Sequence, residues 1–155
     1  MKVSFTLNGS RKRVDVPVQQ TLMEWLQDQG LDAAKHGCET GDCGSCSVLV
    51  DGKALNSCLL FVAQLEGRHI ETFESLAEDD SLGPLKEVLL DFAEPDCRFC
   101  VPGMLVSLKA LLQQTPQPTE TELQDALAGN LCRCKAANLP LSAIVEAVGK
   151  MGGKW

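Results

Sequence analysis

The sequence lacks a long apolar run. A helix that crosses a bilayer needs roughly 18 or more consecutive apolar residues, and the longest apolar run here covers only residues 59–63. We therefore expect neither a transmembrane helix nor a membrane partner. Residues 1–9 also lack the apolar segment of a secretory signal peptide and alternate as a β-strand does. These absences predict a cytoplasmic protein whose cysteines stay reduced.

An excess of positive charge is also missing. The chain has 14 basic and 21 acidic side chains, and its formal net charge is −7. That charge opposes binding to nucleic acid. The sequence shows no acid–base pair, no nucleophile beside a base and no phosphate-binding glycine loop. We therefore predict no catalytic residue in this chain, which should not transform an organic substrate unaided.

The conspicuous feature is eight cysteines in two groups of four, with none left over. The first group has the pattern C-x4-C-x2-C with a fourth cysteine after it, and the second has C-x2-C followed later by C-x-C. We predict that all eight are metal ligands. They are Cys38, Cys43, Cys46 and Cys58 in the first group, and Cys97, Cys100, Cys132 and Cys134 in the second.

The spacing of the first group opens like the plant-type ferredoxin loop, which holds a [2Fe-2S] cluster on four thiolates. Gly37, Gly41 and Gly44 alternate with the cysteines, and they allow a tight bend with backbone N–H groups directed at sulfur. A loop so crowded with glycine is a poor tetrahedral zinc site. His36 could replace a cysteine ligand, as histidine does in Rieske centres, but four cysteines are already present.

The spacing of the second group leaves zinc and iron as alternatives, because C-x2-C pairs also build structural zinc sites. Cys97 and Cys100 precede Pro102, a residue type favoured at the start of a helix. The positive end of that helix would stabilise thiolates. A disulfide framework is a further alternative for both groups, but the absence of a signal peptide argues against it.

The first half of the sequence predicts a small mixed sheet packed on one helix, the β-grasp arrangement. Alternating apolar residues on both sides of Asn8-Gly9 predict a β-hairpin, with apolar positions Val3, Phe5, Leu7, Val14, Val16 and Val18. A capping box at Thr21 and Glu24 predicts a short helix. Residues 48–50 and 69–73 read as further strands.

Helical periodicity replaces this pattern after Glu78. Apolar residues at helical spacing around Leu85 and Leu105, a second capping box at Thr119 and Glu122, and a last helix over residues 141–148 predict four helices. The predicted fold class is therefore α+β, with a ferredoxin-like domain at 1–77 and an all-α [2Fe-2S]-binding domain at 78–155. Each domain is small, so we expect both to depend on their metal for stability.

Four motifs together resemble the small iron-sulfur subunit of the molybdenum hydroxylase (xanthine oxidase) family. In order, they lie at residues 37–46, 57–58, 97–104 and 129–134, and they read GCETGDCGSC, SC, CRFCVPGM and GNLCRC. The resemblance covers nearly the whole chain. It implies one [2Fe-2S] cluster in a plant-ferredoxin-like domain and a second in the helical domain, so it favours iron over zinc for the second group.

The resemblance also implies a role and partners. In that family the small subunit relays single electrons from a molybdopterin-containing large subunit to an FAD subunit, within a heteromeric hydroxylase or dehydrogenase. The cluster of the helical domain lies nearer the molybdenum, and the ferredoxin-like cluster lies nearer the flavin. The resemblance also makes Asp96 and Cys134 candidate contacts to the pterin cofactor.

Three departures from the family pattern lie on the side that would face the pterin. Asp96 stands where the family has glutamine, Arg98 stands where it has glycine, and Lys135-Ala136-Ala137 replaces Thr-Gly-Tyr. They leave an alternative open: an iron-sulfur subunit of a divergent flavin-dependent dehydrogenase complex without molybdenum. A non-catalytic iron or redox sensor is a third reading.

Overall fold

The computed structural model describes residues 1–134, 138–153 and 155. Within them the chain forms a five-stranded sheet followed by a helical unit. The strands are β1 (Lys2–Leu7), β2 (Ser10–Asp15), β3 (Ser47–Val50), β4 (Lys53–Asn56) and β5 (His69–Glu71). The helices are α1 (Leu22–Asp28), α2 (Phe73–Glu78), α3 (Gly83–Phe92), α4 (Val101–Gln114), α5 (Glu120–Leu127) and α6 (Leu141–Met151).

The sheet has the strand order β2-β1-β5-β3-β4. β1 and β5 are parallel, whereas the other neighbours are antiparallel. The β1–β2 turn places Asn8 and Gly9 at φ 48° and 77°, the left-handed pair that a tight hairpin requires. The buried face of β1 packs on α1, where the Trp25 ring meets Phe5 edge-on at 5.2 Å. The mixed sheet on one helix is thus confirmed.

Two helices begin where the capping boxes predicted. At α1 the Thr21 side chain accepts a hydrogen bond from the Glu24 amide, and the Glu24 carboxylate accepts one from the Thr21 amide. Thr119 and Glu122 repeat the arrangement at α5. Each box satisfies two N–H groups that a helix start otherwise leaves without partners.

The second half is organised around α4, which is buried along most of its length. Leu105, Leu108 and Leu112 are fully buried in a core that α3, α5 and α6 also line. Leu49 of β3 belongs to the same core, so the helical unit packs directly on the sheet. No helix among the described residues is long and apolar enough to span a membrane.

Three boundaries differ from the sequence prediction. The strand predicted over residues 69–73 ends at Glu71, because Phe73 turns toward the helical core and begins α2. The second hairpin strand ends at Asp15, and Val18 is exposed. Helix α6 continues three residues past the predicted end, to Met151.

Candidate metal centres

The first group of cysteines is assembled by the loop between α1 and β3, together with a short 3-10 turn after β4. Cys43 and Cys46 are buried, whereas Cys38 and Cys58 are partly exposed. The Cys38 thiol is in hydrogen-bond contact with that of Cys43, and the Cys58 thiol is in contact with that of Cys46. The structure therefore brings all four thiols together, and the charges of Cys38 and Cys43 also act on Cys58.

The surroundings shift the pKa values of the Cys38 and Cys58 thiols in opposite directions. Backbone N–H groups of Cys43 and Thr40 direct hydrogen bonds at Cys38 and lower its pKa to about 6. Burial raises the pKa of Cys58 to about 12, and the neighbouring Cys46 thiol adds to the shift. Thiolates crowded in this way repel one another, and bound iron cations relieve the repulsion by replacing the protons. The donor set thus fits a cationic metal cluster.

The loop follows the path predicted from its glycines. Gly41 and Gly44 have φ values of 80° and 69°, a left-handed conformation that side chains disfavour. A Cβ atom at Gly37 would lie 2.9 Å from the Cys43 sulfur, so a side chain there would crowd the ligand. The Ser45 amide donates to the same sulfur at 3.4 Å, as predicted for N–H groups of a cluster loop.

Three polar side chains, whose role the sequence analysis missed, hold this loop from β3, from β4 and from the 3-10 turn after β4. Asn56 Nδ2 donates to the Gly41 carbonyl, Ser47 Oγ donates to the Gly44 carbonyl, and Ser57 Oγ donates to the Cys46 carbonyl, each at 2.7 Å. Each bond fixes a carbonyl of the loop or of the candidate ligand Cys46. The available signal was that all three are small polar residues directly beside strand ends.

The second group is built from the turn before α4 and the segment after α5. The Cys100 thiol contacts that of Cys132, and the Cys134 thiol contacts that of Cys97. The Cys134 amide also donates to the Cys132 sulfur at 3.3 Å. Burial raises the pKa of Cys100 to about 12, with Cys132 adding to it, whereas Cys97 raises the pKa of Cys134. The structure therefore brings these four thiols together as well.

The start of α4 lies beside this second site. Cys100 is the cap residue of the helix, and Pro102 occupies its first turn. Pro102 has no N–H, so the first turn leaves fewer donors without partners. The positive end of the helix is next to Cys100 and would stabilise its thiolate form, but burial outweighs this effect, because the pKa of Cys100 is raised.

The arrangement of the thiols bears on whether each site fits a two-iron cluster or a single metal ion. Among the described residues, no three His, Cys, Asp or Glu side chains converge as one ion requires. A tetrahedral zinc site needs four ligands around one point. A [2Fe-2S] cluster instead needs two ligands on each of two irons. The thiol contacts at both sites fit the second requirement, with Cys38 beside Cys43 and Cys46 beside Cys58 at the first site and Cys100 beside Cys132 and Cys97 beside Cys134 at the second.

The other residues singled out in the sequence lie on the surface around these sites. His36 Nε2 contacts the Glu39 carboxylate at 3.3 Å, so it is directed at that side chain. Asp96 and Arg98 lie in the exposed turn around Cys97, and Arg98 has a φ of 49°. Lys135, Ala136 and Ala137 lie outside the described residues. The pterin contacts assigned to Asp96 and Cys134 stay a prediction.

Comparison with known families agrees with this geometry. Residues 5–77 match the family described as a 2Fe-2S iron-sulfur cluster binding domain. Residues 72–148 match a second family, described as a [2Fe-2S] binding domain. One family therefore covers each group of cysteines, and zinc is not the metal of either family.

Relatives match this chain over nearly its whole length. The small subunit of nicotine 6-hydroxylase from Paenarthrobacter nicotinovorans is 41% identical over 155 residues, covering 99% of this chain and 93% of the relative. This chain belongs to the small iron-sulfur subunits of the molybdenum hydroxylase family. The iron-sulfur-binding subunit of xanthine dehydrogenase from Escherichia coli O157:H7 is another such relative, 35% identical over 146 residues, 93% of this chain and 92% of the relative.

Solved structures show the same fold for such iron-sulfur subunits. A chain of quinoline 2-oxidoreductase from Pseudomonas putida 86 superposes with a TM-score of 0.84 at 35% identity, covering 97% of this chain and 94% of that one. Aldehyde oxidoreductase from Desulfovibrio gigas superposes with a TM-score of 0.86 at 32% identity. It covers 100% of this chain but only 18% of its own, so there the unit forms part of a much longer polypeptide.

Proposed function

We propose that this chain is the electron-transfer subunit of a heteromeric molybdenum hydroxylase or dehydrogenase, relaying single electrons between a molybdopterin-containing large subunit and an FAD subunit. The observation that carries the proposal is the presence of two adjoining sites of four cysteines each, one in each region that matches a [2Fe-2S] domain family. A [2Fe-2S] cluster, when bound, accepts and releases one electron at a time. The eight cysteines are the proposed ligands.

The relatives favour this function over the alternative of a flavin-dependent dehydrogenase without molybdenum. Those named above are parts of enzymes acting on nicotine, xanthine, quinoline or aldehydes, by their names. We infer that the complex oxidises a small nitrogen heterocycle or an aldehyde, and that this substrate binds outside the present chain. The departures at Asp96 and Arg98 then represent divergence within the family.

The exposed surface around each cysteine site supports an orientation of the chain in which the second site faces the pterin-bearing subunit and the first site faces the flavin subunit. The turn that carries Cys97 is exposed from residue 95 to residue 99, so this side of the second site is open to the pterin-bearing subunit. Beside Cys58 at the first site, Leu59 and Phe61 are 64% and 42% exposed. Apolar surface of this kind is typical of the centre of a protein interface, and it suits the flavin subunit.

Asp96 is the proposed contact that distinguishes this chain from its family. A carboxylate accepts hydrogen bonds but cannot donate them, whereas the amide of glutamine does both. If Asp96 faces the pterin, then Asp96→Gln changes the molybdenum content or the molybdenum EPR spectrum of the complex. Asp42→Asn is a matched control, because Asp42 is an exposed carboxylate beside the first site. Equal behaviour of the two variants would contradict the contact.

The division into domains at residues 77 and 78 is also a proposal. It is supported by the matches to separate families over residues 5–77 and 72–148. Because Leu49 of the sheet lies in the core of the helical unit, we expect the two domains to unfold together.

The ligand assignment is tested by two single substitutions in the purified complex. Cys46→Ser and Cys100→Ser each remove one buried thiol from a different group. Each variant should lose about half of the iron, that is, about two of four atoms for clusters of this type. Each should also lose a different one of the two [2Fe-2S] EPR signals. Loss of the same signal by both variants would contradict the assignment to separate sites.

A further inference from the structure

Three glycines and Asn130 form a tight contact between the two cysteine sites, called here the glycine junction (Gly44, Gly103, Gly129 and Asn130). A Cβ atom at Gly44 would lie 2.1 Å from the Gly129 carbonyl oxygen. A Cβ atom at Gly103 would lie 2.4 Å from the Gly44 carbonyl oxygen. These backbones approach so closely that no side chain fits between them.

The Asn130 side chain fills the space beside these glycines. It is 8% exposed, and its Nδ2 donates to Ser107 Oγ on α4 at 2.7 Å. Its Oδ1 is buried and has no N–H or O–H donor. Oδ1 lies 2.7 Å from the Cβ position of Gly103 and 3.0 Å from that of Gly44.

These distances explain where the buried oxygen is directed. At each glycine a Cα–H group takes the place of the side chain, so the two Cα–H groups point at Oδ1. Such Cα–H···O contacts recur where backbones pack closely, and they are weaker than N–H···O bonds. A buried oxygen with only these contacts lowers the stability of the fold. Stability alone therefore does not explain an asparagine at position 130.

Each part of the junction is close in sequence to a proposed cluster ligand. Gly44 follows Cys43, Gly103 lies three residues after Cys100, and Asn130 lies two residues before Cys132. Next to Asn130, the Leu131 amide donates to the Cys43 carbonyl at 2.9 Å. The Asn130 side chain thus lies against backbone segments that lead to candidate ligands of both sites.

We propose that Asn130 is a positioning residue that fixes the separation of the two cluster sites. The inference rests on the proposed electron-transfer function, in which this separation matters because the rate of electron transfer through protein falls steeply with distance. Ser107 holds the Asn130 amide on α4. The glycines let the first loop reach α4 and the segment before Cys132. Without the Asn130 side chain, the first loop would shift away from α4.

The test compares Asn130→Ala and the milder Ser107→Ala with the control Thr72→Val in the complete complex. Thr72 is 1% exposed, and its hydroxyl accepts from Asn8 Nδ2 at 3.1 Å. The control therefore removes a similar asparagine–hydroxyl bond, partly buried rather than buried, away from both sites. Ser107→Thr keeps the hydroxyl and should behave as the wild type.

The first readout is the magnetic splitting between the two clusters in the EPR spectrum of the dithionite-reduced complex. Dipolar coupling falls with the cube of the distance, so it measures the separation directly. The splitting should fall in Asn130→Ala and Ser107→Ala and should keep its wild-type value in Thr72→Val. If the melting temperature falls equally in Asn130→Ala and Thr72→Val while the splitting stays unchanged in both, Asn130 is only structural and the proposal fails.

The second readout does not depend on iron. Hydrogen exchange of the Leu131 amide should rise about fivefold to tenfold in Asn130→Ala, the size expected from weakening one hydrogen bond. It should stay unchanged in Thr72→Val, and an unchanged rate in Asn130→Ala would overturn the proposal. If metal analysis finds fewer than two clusters, the proposed function fails, but Leu131 exchange still decides whether Asn130 holds the junction.

Discussion

Gly103→Ala tests the close approach of the two halves, and Gly149→Ala is its matched control. Both glycines lie within helices, α4 and α6, and neither has a positive φ. Gly103 lies in the first turn of its helix and Gly149 in the last turn of its own, and there alanine is favoured over glycine by up to the helix-interior value of about 1 kcal/mol. Nothing lies within 4 Å of a Cβ atom at Gly149. Gly149→Ala should therefore stabilise the chain by up to about 1 kcal/mol.

At Gly103 the same propensity is outweighed by a clash. The new Cβ atom would lie 2.4 Å from the Gly44 carbonyl oxygen and 2.7 Å from Asn130 Oδ1. The first neighbour is backbone and cannot rotate away. Overpacking of a filled core costs typically about 1–3 kcal/mol, and we expect the upper end here. After up to about 1 kcal/mol of helix propensity is subtracted, Gly103→Ala should destabilise the chain by at least about 2 kcal/mol.

The assay is thermal unfolding of the two variants and the wild type, followed by far-UV circular dichroism. For a chain of this length, 1 kcal/mol corresponds to about 2–4 °C. The melting temperature should therefore fall by at least about 4–8 °C in Gly103→Ala and rise by up to about 2–4 °C in Gly149→Ala. A Gly103→Ala variant as stable as Gly149→Ala would refute the close contact between the first cysteine loop and α4.

Three further predictions concern strain, pH and metal. Arg98 has a φ of 49°, so Arg98→Gly should raise the free energy of unfolding by about 1 kcal/mol; an unchanged urea midpoint would contradict this. Hydrogen bonds from Ser81, with Lys109 nearby, hold the pKa of Asp79 in the folded protein below its usual value. The Asp79 carboxylate therefore stabilises the fold at pH values above its pKa in the unfolded chain. This stabilisation is lost as the pH falls through its lower pKa in the folded protein. On acidification from pH 6, the wild type should therefore lose more stability than Asp79→Asn, and parallel urea titration curves would contradict this. Removal of iron by a chelator under reducing conditions should lower the melting temperature, because the crowded thiols lose the cations that hold them together; equal melting of the apo and holo forms would oppose it.

The sequence predicted most of what depends on local patterns. The hairpin follows from alternating apolar residues, and two helix starts follow from the capping boxes at Thr21 and Thr119. The eight cysteines could be proposed as ligands from the sequence because the spacing of thiols is itself chemical information, and their assignment as ligands stays a prediction. Their pairing was not readable, since Cys100 meets Cys132 only after α4 and α5 have packed.

What the sequence could not predict depends on long-range contacts. The sequence places Phe73 at the end of a strand, whereas in the structure Phe73 packs against the helical core and begins α2. Gly103 looks like a weak point in a helix until the carbonyl of Gly44 is seen beside it. Asn130 looks like a turn residue, and its buried oxygen becomes visible only when both halves are assembled.

The most direct test of the proposed function is metal and cofactor analysis of the native complex, purified gently through a tag on this chain. The account predicts about four irons per chain in two distinct [2Fe-2S] EPR signals, together with stoichiometric molybdenum and FAD from copurifying subunits. Two [2Fe-2S] signals without molybdenum would contradict the proposed partner. Zinc in place of iron would contradict the assignment of the cysteine sites themselves.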